Sequence, residues 1–226
     1  MKLSVSGVWS GLPDAIASEL IGHATSHLLN AGDCLFTAGD QGDGCYRLNQ
    51  GVLKVSLASP QGGERIIAIL SQGSIVGDLA MIDGLPRSAS IVALTNCELQ
   101  FISRATFQDC ARRHPEIHEF LVALLARRLL ETDDTIAVLA FLTAKGRVAH
   151  ALLELAEALG EKTSSGRVVI PYMIHQKDLA ALAGVARENT NRILRNWQKR
   201  KLLVKTAKSY RIDDIAKLKH EMDWEE

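Results

Sequence analysis

Between residues 31 and about 105, short apolar runs alternate with turn-forming punctuation. The punctuation includes Ala38-Gly39-Asp40-Gln41-Gly42-Asp43-Gly44, Asn49-Gln50-Gly51, Pro60-Gln61-Gly62-Gly63 and Gln72-Gly73-Ser74. Between these lie strand-like pieces such as Val52–Leu57 and Arg65–Leu70. Turn signals roughly every ten residues predict a β-sandwich or β-roll. Residues 11–30, with Leu12, Ile16, Leu20 and Ile21 at helical spacing, predict a helix before it.

A long helical pattern follows. Pro115 suits a helix start, where its missing N–H costs little. Apolar residues then recur at Ile117, Leu121, Leu124, Leu125, Ile136 and Leu139, to about Leu142. Such a helix of roughly 28 residues would be about 42 Å long. Its stripe needs a cover, and a second copy of the chain is the economical one, although Arg127 and Arg128 interrupt the seam. Packing on its own β-roll is the alternative. Beyond residue 143, Val148, Leu152, Leu153, Leu155 and Ala156 predict a helix. A loop over 160–166, a strand at Val168–Ile170, two helices and a small hairpin around Lys208-Ser209 come next. The expected divisions are 1–114, 115–142 and 143–226.

Charge sharpens this picture. The formal net charge is zero, but residues 1–142 carry 10 Lys+Arg against 15 Asp+Glu, and 143–226 carry 16 against 11. Within 187–211 there are nine basic residues and a single acid, Glu188. An acidic front and a basic back predict two domains, the second facing phosphate.

Residues 174–197 carry the motif that makes the basic half specific. Gln176 to Ala183 predicts one helix, and Gly184 a turn where positive φ is cheap. A second helix from about Ala186 would bury Ile193, Leu194 and Trp197 and present Arg187, Glu188, Asn191, Arg192 and Arg195. That is the geometry of a helix-turn-helix with a recognition helix. Arg187 and Arg192 can each bond guanine O6 and N7, and Glu188 can accept from a cytosine N4 amine. Asn189, Thr190 and Arg195 can touch bases or backbone, and His175 and Gln176 join the candidate DNA contacts. Lys199, Arg200 and Lys201, and Lys205 and Lys208 of the hairpin wing, suit phosphates.

The segment Arg187-Glu188-Asn189-Thr190-Asn191-Arg192-Ile193-Leu194 resembles the recognition helix of the CRP/FNR family, whose pattern there is R-E-x-x-x-R-x-L. Ala140-Phe141-Leu142 and Gly146-Arg147-Val148-Ala149 resemble that family's hinge and the helix after it. The resemblance runs from about residue 20 to 213. It implies an α+β chain: an N-terminal antiparallel β-roll (cyclic-nucleotide-binding, cupin-like jelly roll), a long dimerisation helix and a C-terminal winged helix-turn-helix. It also implies a homodimer on palindromic double-stranded DNA with TGTGA-like half-sites, with RNA polymerase as a further partner.

The segment Gly77-Asp78-Leu79-Ala80, followed by Arg87-Ser88-Ala89, resembles the phosphate-binding cassette of that family's sensor, G-E-[LIM]-A-x(5–6)-R-[ST]-A. Arg87 would grip a cyclic phosphate bidentately, Ser88 would add a hydroxyl, and helical N–H groups near Gly77 would face the anion. The family acid is Glu, here Asp78, one methylene shorter. A Thr-Ser pair touches adenine in cAMP-responsive members, and Thr132-Asp133 stands at the matching place. A carboxylate at Asp133 could accept from guanine, so cGMP stands beside cAMP as effector; Asp133 could equally face solvent with Asp134. An orphan regulator that needs no nucleotide, or answers another small molecule, is the alternative.

Other classes find less in the residues. No run of 18 apolar residues occurs, so no membrane span is expected. The start of the chain, with Lys2 and small or polar residues, lacks the apolar block of a secretory signal, so a cytoplasmic location is expected. Cys34, Cys45, Cys97 and Cys110 form no CxxC pair and read as small buried thiols. Residues 28–113 hold no histidine, which argues against haem and against a metal-dependent cupin. His114 and His118 flank Pro115 and read as a surface pair, so no metal is expected. No nucleophile with a base is apparent, so no enzyme is expected. A scaffold that binds nucleotide but not DNA is a third possibility.

Overall fold

The computed structural model describes residues 11–164, 166–172, 174–206 and 209–222. Lys208 and residues 1–10, the latter including Lys2, lie outside the described residues. The elements run α1 (Asp14–Gly22), β1 (Thr25–Leu29), β2 (Cys34–Phe36), β3 (Gly44–Gln50), β4 (Leu53–Ala58), β5 (Glu64–Leu70) and β6 (Ile75–Val76). Then come α2 (Asp78–Asp83), β7 (Ser90–Ala93), β8 (Cys97–Ser103), α3 (Arg104–Arg113) and α4 (Glu116–Phe141). The remainder is α5 (Ala144–Leu159), β9 (Glu161–Lys162), β10 (Val168–Ile170), α6 (Gln176–Ala183), α7 (Arg187–Lys199), β11 (Leu203–Lys205), β12 (Tyr210–Ile212) and α8 (Ile215–His220).

The chain divides into two compact units. Among the described residues, one comprises 11–57 and 68–131, and the other 58–67 with those from 132 to 222. The strands of the roll order as β1-β8-β3-β6 and β2-β7-β4-β5; all lie in the first unit except the end of β4 at Ala58 and the start of β5 at 64–67. Leu48, Leu53, Val76, Ile91, Ala93 and Leu99 fill the interior of this roll. A second cluster joins Leu12, just before α1, and Ile16 and Leu20 of α1 to Phe107 and Cys110 of α3 and to Ile117, Phe120 and Leu124 of α4. The expected helix over 11–30 is therefore shorter. It stops at Gly22, because Thr25–Leu29 pairs antiparallel with β8 and sheet bonding overrides the local helical spacing.

α3 is a helix the apolar pattern did not announce. Ser103 caps it by accepting from the Thr106 N–H at 3.0 Å, and only Phe107 and Cys110 are buried along it. α4 has the expected bounds to within a residue at either end. Val122, Leu125, Leu129, Ile136 and Leu139 are all exposed on it, with Thr132 continuing their alternating three- and four-residue spacing.

In the second unit, α5, α6 and α7 surround a core of Leu152, Leu155, Leu179, Leu194 and Trp197. The sheet β11-β12-β10-β9 flanks them. The loop expected over 160–166 begins with a short strand, since Glu161 and Lys162 pair with Val169 and Val168. α8 closes the described chain, capped by Asp214, which accepts from the Lys217 N–H at 2.9 Å.

One buried carboxyl gives this unit a pH dependence. Burial pushes Glu154 of α5 from 4.5 to about 7, opposed by Arg65 and reinforced by Glu157, with His150 Nδ1 3.7 Å away. Its folded pKa is raised, so its stabilising share is full below about pH 4.5 and is lost as pH climbs through 7. The side chain is 30% exposed, which cuts the effect to about 1–2 kcal/mol. Glutamine stays neutral at every pH. The Glu154→Gln variant should therefore gain about 1–2 kcal/mol on the wild type between pH 5 and 8. Urea unfolding at the two pH values checks this, and a constant difference would refute it.

Candidate ligand pocket and DNA-reading surface

The pocket lies in the first unit, where β6 runs into α2. Gly77 holds φ +77°, and a Cβ there would come 2.3 Å from Arg87 Nη1. A Cβ on Gly42 would meet the Ala80 Cβ at 2.2 Å. Both glycines are therefore required for the loop to close over the arginine. Arg87 is 4% exposed. Its Nη1 donates to the Gly44 carbonyl at 2.7 Å and the Gly77 carbonyl at 3.0 Å. Its Nη2 donates to Asp43 Oδ1 at 3.2 Å, and its guanidinium carbon lies 4.3 Å from the Phe36 ring centre. Tyr46, whose ring packs against Phe36 and Phe101, forms the same aromatic wall.

Asp78 is 2% exposed and does not stand alone. Arg128 Nη2, from α4, lies 2.9 Å from Asp78 Oδ1 and also donates to the Ile75 carbonyl at 3.2 Å. Burial raises the Asp78 carboxyl above its ordinary value, outweighing the opposing pull of the Arg128 and Arg87 guanidiniums. Burial, with Asp78 close by, also pushes the Cys45 thiol up to about 12, so this cysteine is an inert floor for the pocket.

The fit to a cyclic nucleotide rests on two orphaned atoms. Asp78 Oδ2 and Arg87 Nε are both buried without a hydrogen-bond partner. One is an acceptor suited to a ribose hydroxyl, and the other a donor suited to a phosphate oxygen. The structure brings Gly77, Asp78, Ala80 and Arg87 together, with Leu79 and Ser88 exposed beside them. Thr132 and Asp133 are exposed on the part of α4 that belongs to the second unit. Arg128 is the pocket residue that the sequence reading passed over. A buried carboxylate needs a cation, and that need was the available signal.

The DNA-reading surface lies in the second unit. Gly184, at φ +62°, caps the end of α6, and Ala186 is the N-cap of α7. Thr190, Ile193, Leu194 and Trp197 are buried along one side of α7. Arg187, Glu188, Arg192 and Arg195 are exposed on the other, with Asn189 and Asn191 half-buried. Thr190 departs from its expected role. It is fully buried, and its hydroxyl donates to the Ala186 carbonyl at 3.1 Å. Arg192 Nη2 donates to Asn189 Oδ1 at 2.8 Å, which fixes the guanidinium before any base arrives. Neither α6 nor α7 has a side chain capping its first N–H groups, which leaves them available to phosphate oxygens.

Two clefts flank α7. One, of about 350 Å³, brings His175, Gln176 and Arg187 together with Lys205 of the wing. The other, of about 440 Å³, sets Asn189 and Arg192 beside Thr143, Lys145 and Arg200. Glu221, missed by the sequence reading, anchors the back of α7. Its Oε2 accepts from Trp197 Nε1 at 2.9 Å, and its Oε1 pairs with Arg200 at 2.7 Å. These neighbours, with Lys145, hold its carboxyl low against the opposing effect of burial.

A β-roll with a buried arginine–aspartate pocket, and a winged helix-turn-helix with an arginine-rich outer face, define a sensor-coupled DNA-binding regulator. Residues 27–114 match the cyclic nucleotide-binding domain, and 146–221 the Crp-like helix-turn-helix domain. The chain is 34% identical to the cyclic AMP receptor protein of Thermus thermophilus, over 84% of each chain. It is 29% identical to the CRP-like cAMP-activated global transcriptional regulator of Mycobacterium tuberculosis, over 96% of each. The regulator CLP of Xanthomonas campestris shares the fold, with a TM-score of 0.78 at 22% identity over 89% of this chain and 100% of that one. The chain belongs to the CRP/FNR family of DNA-binding transcription regulators.

Proposed function

We propose that the chain acts as a homodimer on palindromic DNA and that a purine cyclic mononucleotide, cAMP or cGMP, bound at Asp78 and Arg87 controls it. The carrying observation is the pair of orphaned buried atoms, Asp78 Oδ2 and Arg87 Nε. Arg87 would bind the cyclic phosphate with help from Ser88 and the backbone of Gly77, Leu79 and Ala80. Asp78 would accept from the ribose. Because Arg128 already pairs with Asp78, any change at this carboxylate is felt on α4. Ligand can shift α4 only through different affinities for its two arrangements. cAMP is favoured by the names of the relatives; cGMP is favoured by Asp133, should it reach the base beside Thr132.

The exposed stripe Val122, Leu125, Leu129, Ile136 and Leu139 has the spacing of a two-stranded coiled coil. A second copy of α4 would cover it and would set two α7 helices about 34 Å apart, one DNA turn. Each would enter a TGTGA-like half-site with Arg187, Glu188 and Arg192 on base edges. Asn189, Asn191, Arg195, His175, Gln176 and the wing Lys205 and Lys208 would contact bases or backbone. We assign sensing to 1–114, dimerisation to 115–142 and DNA reading to 143–226. No enzymatic step is assigned, and RNA polymerase is the proposed downstream partner. Among the described residues no helix is long and apolar enough to cross a membrane, and a DNA reader belongs in the cytoplasm.

Calorimetry of the full chain with cAMP, cGMP and cyclic di-GMP, followed by mobility shifts on a TGTGA palindrome, tests this. One mononucleotide should bind per protomer and tighten the DNA complex. Silence from all three would remove the nucleotide and leave an orphan regulator. A blank shift under every ligand and salt would remove the DNA reading.

A further inference from the structure

Away from both sites, α1 and α3 bring together three side chains with no part in the regulator's chemistry. Glu19 comes from α1, Cys110 from the last turn of α3, and His114 caps that helix. Their ligand atoms, a carboxylate oxygen, Sγ and an imidazole nitrogen, all lie within 4.8 Å of one another. His114 Nε2 is 3.0 Å from Glu19 Oε2. A tetrahedral zinc ion bound at about 2.0–2.3 Å holds neighbouring ligand atoms roughly 3.3–3.8 Å apart. The trio therefore needs adjustments of an ångström or less.

We propose that Glu19, Cys110 and His114 form a three-ligand site for a zinc-class divalent ion, with its fourth position open to water. Several features carry it. Cys110 and His114 are four residues apart, so the helix sets both on one face toward α1. A thiolate, an imidazole and a carboxylate are the donors that suit a borderline-soft ion rather than calcium or magnesium. Cys110 is 1% exposed, whereas the side chains of Glu19 and His114 are 26% and 31% exposed, so the cage is closed behind and open in front. Nδ1 of His114, the ring nitrogen away from Glu19, is left for an outer partner.

Arg113 also pairs with Glu19, but its side chain is 57% exposed and can turn into water when a cation takes the carboxylate. The thiol gives its proton to solvent as sulfur takes the ion. His114 directly precedes Pro115 and α4, so a bound ion would tie α1 to the root of that helix. Among the described residues, no other histidine, cysteine and carboxylate group has this geometry.

Cobalt(II) titration of the full chain tests the site. The expected result is one ion per chain with tetrahedral d–d bands and a thiolate-to-cobalt charge-transfer band, displaced by zinc. Cys110→Ser should abolish the charge-transfer band, and Cys34→Ser should leave it intact. His114→Gln, at a partly exposed position, keeps the test alive if the buried Cys110→Ser fails to fold. It should weaken binding more than about tenfold, the smaller end of what losing even an outer-shell partner costs. Zinc should also raise the thermal midpoint of the wild type and not of His114→Gln. A wild type without the thiolate band, a band surviving Cys110→Ser, or unchanged affinity in His114→Gln would each overturn the site.

Discussion

Replacing Arg87 by leucine is expected to weaken cyclic-nucleotide binding by roughly 30- to 4,000-fold. Removing one partner of a buried, hydrogen-bonded charge pair costs about 2–5 kcal/mol, and each 1.4 kcal/mol is a factor of ten. The guanidinium is 4% exposed, so water cannot replace it at the phosphate. The same substitution removes the donor that the Gly44 carbonyl meets at 2.7 Å, and it leaves the Gly77 carbonyl with only the longer 3.3 Å bond from the Met81 N–H. A buried acceptor that loses its donor costs about 1–3 kcal/mol, so Arg87→Leu should also lower the melting temperature of the free protein. Arg87→Lys separates the two effects. It keeps the charge but loses the planar fork, so binding should fall less while the loop still loosens. Calorimetry on both variants, read beside their melting curves, decides the matter. A folded Arg87→Leu protein with wild-type affinity would remove the phosphate role.

The same residues show how far a single sequence reaches. The α6–α7 turn was legible to within a residue because Gly184 is a local signal: one positive φ demands it. Arg87 and Asp78 were legible because a short motif places them on one loop. Arg128 was not, since on a helical pattern an arginine is merely a break in an apolar stripe. Only folding reveals that it meets a carboxylate 50 positions earlier in the chain. Glu221 was hidden for the same reason, lying 24 residues from the indole it binds. β1 was misread because its pairing with β8 is non-local, and Thr25 to Leu29 carry no alternation strong enough to announce a strand. Thr190 was misread because a small polar residue on a basic helix looks outward until its hydroxyl finds the Ala186 carbonyl.

Arg192→Ala should carry the largest effect on DNA. One arginine bidentate to guanine is worth about 1–3 kcal/mol of discrimination. A symmetric dimer uses it twice, so a palindrome should lose about 2–6 kcal/mol, or roughly 30- to 20,000-fold, if the half-sites act independently. The loss should fall on one base pair per half-site, symmetrically about the dyad. Asn189 sharpens the expectation: by holding Arg192 Nη2 at 2.8 Å it limits the rotamers that must be frozen on binding. Asn189→Ala should therefore weaken the same base preference in milder form, whereas an unrelated contact would alter a different position. Lys205→Ala, in the wing, gives the contrast. A phosphate contact carries no sequence information, so affinity should drop evenly over all sites and the salt slope should shrink by about one per lysine. Binding-site selection by sequencing, at two salt concentrations, reads all three variants together. A selection in which Arg192→Ala retains the wild-type preference at every position would mean that α7 does not present this arginine to base edges.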